Sequence, residues 1–127
     1  MIVPVPENLK YTKDHEWLRQ DGEVAVVGIT DHAQEALGDV VFVDLPAVGT
    51  PVTQGATFGT VESVKAVSDL FAPISGQVAE VNTALVDKPE TVNSDPYGAA
   101  WMIKVKPANK GEIAQLLSAA EYQKLLG

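Results

Sequence analysis

The sequence predicts a mainly β fold, a small barrel or sandwich of short strands with helices added at the C-terminal end. Three observations point there. Short runs of Val, Ile, Thr and Phe are separated by Gly and Pro, as at Val48-Gly49-Thr50-Pro51-Val52 and Gln54-Gly55, which is the punctuation of strands that fold back on one another. Asn109 with Glu112, and Ser118 with Glu121, each stand at capping-box spacing just before an apolar run. The 127 residues, 46% hydrophobic and 20% charged, suffice for one domain, 1–127, with a real core.

The elements follow in order. Pro4 and Pro6 keep the first residues extended. A strand at about 15–20 meets the turn signal Asp21-Gly22, and Glu23 to Ile29 is the return strand. Thr30-Asp31 reads as a helix N-cap, Gln34 completes a capping box with Asp31, and Gly38 stops a helix over 31–37. Asp39 to Leu45 is a strand closed by Pro46, and strands follow near 57–63, 67–71 and 76–81. Asn82 to Val86 fits one helical turn, Lys88 to Pro96 is loop, and Ala100 to Lys106 is the last strand, stopped by Pro107. In the C-terminal helices Ile113, Leu116 and Leu117 share one face, and Tyr122, Leu125 and Leu126 another. Trp17 and Trp101 are read as core or half-core aromatics.

One stretch stands apart. Val61 to Phe71 is two short strands meeting at a turn whose tip is Lys65. Hairpin tips favour Asn-Gly, Asp-Gly or Gly-Gly, yet here Val64, Ala66 and Val67 surround the lysine, with Glu62 three residues before it and Asp69 four after. Nothing in the stretch supplies the burial or second cation that activates a catalytic lysine. Two readings stand: a solvated surface lysine, or an amine that an enzyme acylates to make a tether.

Composition narrows the partners. The net charge of −8, from 9 basic and 17 acidic residues, disfavours nucleic acid and anionic membranes. The absence of cysteine excludes disulfides and thiolate chemistry, so redox chemistry has to come from a cofactor. No apolar run is long enough to span a bilayer, and the first residues carry no leader pattern. A cytoplasmic protein is expected, with the mitochondrial matrix as the alternative. His15 and His32 have no partner at metal-ligand spacing, so no metal site is expected. No phosphate-cradling glycine loop is present, and Ser63, Ser68 and Ser75 lack a nucleophile-elbow context. Asp14 and Glu16 beside His15 suggest either acid–base work or the start of a strand with alternate residues exposed. An enzyme is not expected.

Several motifs in fixed order then carry a resemblance. They are Lys-Tyr-Thr-Lys-Asp-His-Glu-Trp (10–17), Val-Gly-Ile-Thr-Asp-His-Ala-Gln (27–34), Leu-Gly-Asp-Val-Val-Phe-Val-Asp-Leu-Pro (37–46), Gly-Thr-Val-Glu-Ser-Val-Lys-Ala-Val-Ser-Asp-Leu (59–70), Ala-Pro-Ile-Ser-Gly (72–76), Val-Asn-Ser-Asp-Pro-Tyr-Gly (92–98) and Trp-Met-Ile-Lys (101–104). Over nearly its whole length the chain resembles the H-protein family of the glycine cleavage system, the lipoyl-bearing carriers. The lipoyl domains of 2-oxo acid dehydrogenases resemble Asp-Lys-Ala at the turn and biotin carriers Met-Lys-Met, whereas this turn is Val64-Lys65-Ala66.

The resemblance implies a barrel-sandwich hybrid with the lysine at a hairpin tip. It implies lipoate joined covalently to Lys65, and a lipoate ligase or lipoyl transferase that reads Glu62, Val64 and Ala66. It also implies that an aminomethyl group passes from the pyridoxal-phosphate glycine decarboxylase (P protein) to the aminomethyltransferase (T protein). Electrons would then pass to dihydrolipoyl dehydrogenase (L protein). The loaded arm is expected to rest in a cleft, its amine met by Glu16, with Asp69 second and Asp14 weaker. The alternative is a related protein that relays lipoyl groups to other enzymes.

Overall fold

The computed structural model describes residues 5–127, so the expectation for Pro4 lies outside the described residues. Among these residues nine strands form two antiparallel sheets. The larger runs β1 (Lys10–Tyr11), β2 (Glu16–Asp21), β3 (Val24–Ile29), β9 (Ile103–Pro107), β8 (Gly76–Val81) and β5 (Pro51–Val52), each hydrogen-bonded to the next. The smaller is β4 (Val40–Asp44), β6 (Thr57–Ser63) and β7 (Val67–Phe71). The sheets do not close on themselves, and the architecture is barrel-sandwich-like, as the sequence predicts.

Alternation along β2 and β3 builds two cores from one pair of strands. Leu18 and Val27 face the main core, which also takes Val43, Val61 and Leu70 from the small sheet. Trp17 and Val26 face the other way, into a second cluster with Tyr11 and Tyr122. Trp17 pairs with Gly28 across the strands. A β-carbon on Gly28 would stand 2.6 Å from the indole, so only glycine lets the tryptophan lie flat there. Trp17 Nε1 donates to the carbonyl of Pro96 at 2.9 Å, which satisfies its only polar atom.

Helix α1 spans Asp31–Leu37. Its N-cap is Thr30, whose hydroxyl accepts from the Ala33 amide at 3.2 Å. Gln34 donates to the Asp31 carboxylate within the first turn and does not form the predicted capping box. Gly38 ends the helix at φ 79°, a conformation that disfavours a side chain.

Elsewhere the structure corrects the sequence reading. The segment 88–96 contains a short helix, α3 (Thr91–Ser94), after α2 (Thr83–Asp87). Asn93 of α3 explains the order there. Its amide donates to Gly38 and Gln34 and accepts from Val40 N, which fastens the loop to the end of α1. The last strand begins at Ile103 and includes Pro107, which pairs with Gly76. Asn109 and Glu112 make no capping box at α4 (Gly111–Ala114). Asn109 accepts from Gly111 N, and the Glu112 carboxylate instead accepts from Ser75 N at 2.8 Å. Ser118 and Glu121 do form the predicted box at α5 (Ala119–Leu126). Leu116 packs on the main core and Leu117 on the second, because Leu117 pairs with Tyr11 as an added bridge. Leu125 is exposed, while Tyr122 and Leu126 pack inward.

Candidate functional site

The hairpin tip is built by a serine. β6 and β7 stay paired up to Glu62 and Val67. Ser63 N donates to Ala66 O at 2.8 Å, and Ser63 Oγ accepts from the amides of Ala66 (3.1 Å) and Lys65 (3.4 Å). The turn's backbone is thus satisfied from within, which removes the need for the usual glycine pair. Val64 N donates to Asp39 O at 3.0 Å and anchors the tip to the segment after α1.

The side chains of the tip face outward. Val64 is 70% exposed and Val67 67%, and Val41 and Phe42 of the neighbouring β4 are about half exposed. Phe42, Glu62 and Val67 stand in one cross-strand row. The lysine therefore emerges from an apolar patch. Lys65, Glu62 and Ala66 are all exposed, and among the described residues the lysine amine forms no ion pair. The lysine stem runs past the end of α1, where a β-carbon on Gly38 would lie 3.5 Å from Lys65 Cε.

Beside Gly38, Leu37 belongs to the wall of a cavity of about 180 Å³. Asp14, His15 and Glu16 form one side of this cavity, α1 another, and Ser68 and Asp69 of β7 a third. The fold therefore brings Glu16 and Asp69 to one cleft, with Asp14 at the same wall. Asp14 and Asp69 are exposed, but Glu16 is 2% exposed, which excludes the solvated-strand reading of that residue. Its carboxylate accepts from Thr12 Oγ1 at 2.6 Å on one oxygen and from Phe71 N at 3.3 Å on the other. Burial pushes its pKa up to about 7, against the pull of these two donors. Glu16 also borders a second cavity of about 280 Å³, walled by Phe71, Leu116 and Leu117.

His15 is the one non-glycine residue with positive φ among those described, at 70°. Its ring meets Tyr122 Oη at 2.7 Å through Nδ1 and lies 4.5 Å, centroid to centroid, from the ring of His32. Burial first, and His32 second, hold the imidazole below its ordinary pKa. No group of three or more His, Asp or Glu side chains able to hold a metal occurs among the described residues. Thr12 and Tyr122 are the residues of this site that the sequence reading missed. Thr12 lies in the motif beside Glu16 but has no chemistry of its own, and Tyr122 is 107 residues from His15.

These features define a class: a small β scaffold that offers one free lysine on a hairpin tip, next to a cleft holding a buried carboxylate. The comparisons with known proteins give the family. The model of the glycine cleavage H-protein family matches residues 9–127. A glycine cleavage system H protein of Carboxydothermus hydrogenoformans is 54% identical over 122 residues, covering 96% of this chain and 94% of that one. One from Anaeromyxobacter sp. is 57% identical over 121 residues, covering 95% and 94%. The crystal structure of a glycine cleavage system H protein from Mycobacterium marinum superposes with a TM-score of 0.90 at 50% identity, over 97% of this chain and 99% of that one. The chain belongs to the glycine cleavage H-protein family. No helix among the described residues is long and apolar enough to cross a membrane.

Proposed function

We propose that residues 1–127 form a single lipoyl-bearing unit, the lipoyl carrier of a glycine cleavage system, working in the cytoplasm as a carrier and not as an enzyme. The observation that supports this reading is the placement of Lys65, exposed at the hairpin tip with its stem passing Gly38 at the end of α1, next to Leu37 of the cleft wall. Lys65 would hold lipoate through an amide to its amine, and the group would supply a dithiolane chemistry suited to carrying an aminomethyl group between glycine decarboxylase and the aminomethyltransferase, with dihydrolipoyl dehydrogenase as its reoxidant. The residues present fit such a group. The tip has no side chain that would obstruct acylation, and the apolar row of Phe42 and Val67 with Glu62 gives a lipoate ligase or lipoyl transferase a shape and a charge to read, together with Val64 and Ala66.

In the cleft the chain's own groups suit an amine. Burial pushes the Glu16 pKa up to about 7, so the carboxyl is poised to ionise when a cation comes to its side. A cation at its side favours the charged form, and the pair strengthens as water is displaced. Thr12 and Phe71 N hold both oxygens of Glu16 in place before any amine arrives. Asp69, exposed at the rim, is the second acceptor.

The test is acylation of the unmodified protein by a lipoate ligase, followed by peptide mass mapping. The adduct is expected on Lys65. Modification mainly at Lys10, Lys13, Lys88, Lys104, Lys106, Lys110 or Lys124 overturns the assignment.

A further inference from the structure

We infer that Tyr122, in the C-terminal helix, is a positioning residue for the cleft, its hydroxyl fastening two of the cleft's walls to each other. This rests on the carrier reading above and extends it to a part of the chain with no cleft-lining residue. Tyr122 is fully buried, and its ring stacks on Tyr11 with centroids 4.6 Å apart and planes 7° from parallel. Stacking fixes the ring, so the hydroxyl has one place to be.

At that place it meets two partners. His15 Nδ1 is 2.7 Å away and Thr30 Oγ1 2.8 Å. His15 stands between Asp14 and Glu16 on one wall of the cavity. Thr30 is the N-cap of α1, which supplies Ala33, Ala36 and Leu37 to the facing wall. A tyrosine hydroxyl has one proton to donate and lone pairs to accept with, so both bonds can form at once whichever way the chain of donors runs. Thr30 Oγ1 still accepts from Ala33 N in either arrangement.

The backbone alone does less. Thr30 N donates to His15 O at 3.0 Å, which ties the two main chains. It leaves the imidazole free to turn. Without the tyrosine hydroxyl the ring of His15, held on a left-handed residue and touching His32, has no hydrogen bond among the described residues to select its orientation. An imidazole that turns within a cavity of about 180 Å³ changes both the room beside Glu16 and the access of water to it. Helix α5 therefore governs how well the cleft shields what it holds.

Tyr122→Phe keeps the stacked ring and removes only the hydroxyl. On the unmodified protein, the ring nitrogen resonance of His15 is expected to move. On protein loaded with the aminomethyl group, ammonia release without the transferase is expected to quicken by about three- to tenfold, the worth of one buried hydrogen bond. Leu125→Ala, on the exposed side of the same helix, leaves both as in wild type. If Y122F does not fold, the wild-type protein decides: one fixed ring orientation of His15, with its Nδ1 bonded to the hydroxyl, is expected, and an imidazole that NMR shows turning freely overturns the inference. A His15 signal that does not move, or one that moves while release stays at the wild-type rate, overturns the inference. The two failures are distinguishable: a wild-type chain that cannot be loaded sinks the carrier reading and this extension together, whereas a loadable one with equal release rates sinks only the role of Tyr122.

Discussion

The hairpin tip and the cleft invert the usual distribution of polarity in opposite directions. At the tip, Val64 and Val67 stand in solvent while the polar backbone is satisfied by Ser63. In the cleft, Glu16 is buried with Thr12 and Phe71 N as its donors, and Thr30 lies buried against Tyr122. Both arrangements cost folding free energy: exposed apolar side chains forgo burial, and a buried carboxylate forgoes water. The difference lies in what each region can lose. A tip whose side chains touch little is tolerant in the fold and sensitive only in function. A cleft whose polar groups are bonded to one another is sensitive in both.

The largest effect expected is at Lys65. Lys65→Arg removes the only amine at the tip, and glycine–bicarbonate exchange with the partner decarboxylase should fall to background. Its stability should stay within about 0.5 kcal/mol of wild type, as for exposed sites without special contacts. Urea unfolding of the two proteins checks the second half. A large loss of stability would mean that the tip is not the independent region described here.

Glu16→Gln tests the cleft, and its effects come in two sizes. Release of ammonia from the loaded protein, followed without the transferase, is expected to rise about tenfold, since one partly shielded ion pair contributes on the order of 1–2 kcal/mol. Equal rates would shift the acceptor's role to Asp69. The second effect is on stability and has a definite sign. Glu16 has a folded pKa of about 7 against an ordinary 4.5. Below 4.5 both folded and unfolded chains hold the proton. From 4.5 to 7 the unfolded chain releases it and the folded chain keeps it, so stability falls as pH rises, then levels off above 7. The variant lacks this slope. The difference in unfolding free energy between wild type and E16Q should therefore shift by on the order of 1–3 kcal/mol across that window, in favour of the variant at the higher pH. A pH-independent difference would mean that the carboxylate is not buried in solution.

The tip was far more legible in the sequence than the cleft, for a physical reason. Strands β6, β7 and β8 and their turn are local, so alternation and Gly/Pro punctuation place them within a residue. Glu16 and Asp69 were legible as candidates because each sits in a motif, and the fold does bring them to one cavity. What makes Glu16 unusual was not legible. Its burial comes from β7 and from the turn at Thr12, and the lock on His15 comes from the far end of the chain. The two-residue strands β1 and β5 carry too short a pattern to be read, and α3 is held by side-chain bonds of Asn93 to α1 that no local propensity announces.

The smallest effect is expected at Glu62, and it separates the two regions most cleanly. Glu62 is exposed, stands in the row with Phe42 and Val67, and has no ion pair with Lys65. Its charge therefore does little for the fold, and Glu62→Gln should unfold within about 0.5 kcal/mol of wild type. The charge also stands three residues before the amine proposed for acylation, among the exposed apolar side chains of Val64 and Val67. A modifying enzyme that reads it gains orientation of the amine more than affinity, because an exposed charge contributes only about 0.2–1 kcal/mol. A two- to fivefold drop in the rate of lipoylation is thus expected, about the same at low and saturating protein substrate. Steady-state rates with a lipoate ligase over a range of carrier concentrations give the answer. Identical curves for the two proteins would mean that the tip is recognised by shape alone, leaving Val64 and Ala66 to carry the recognition.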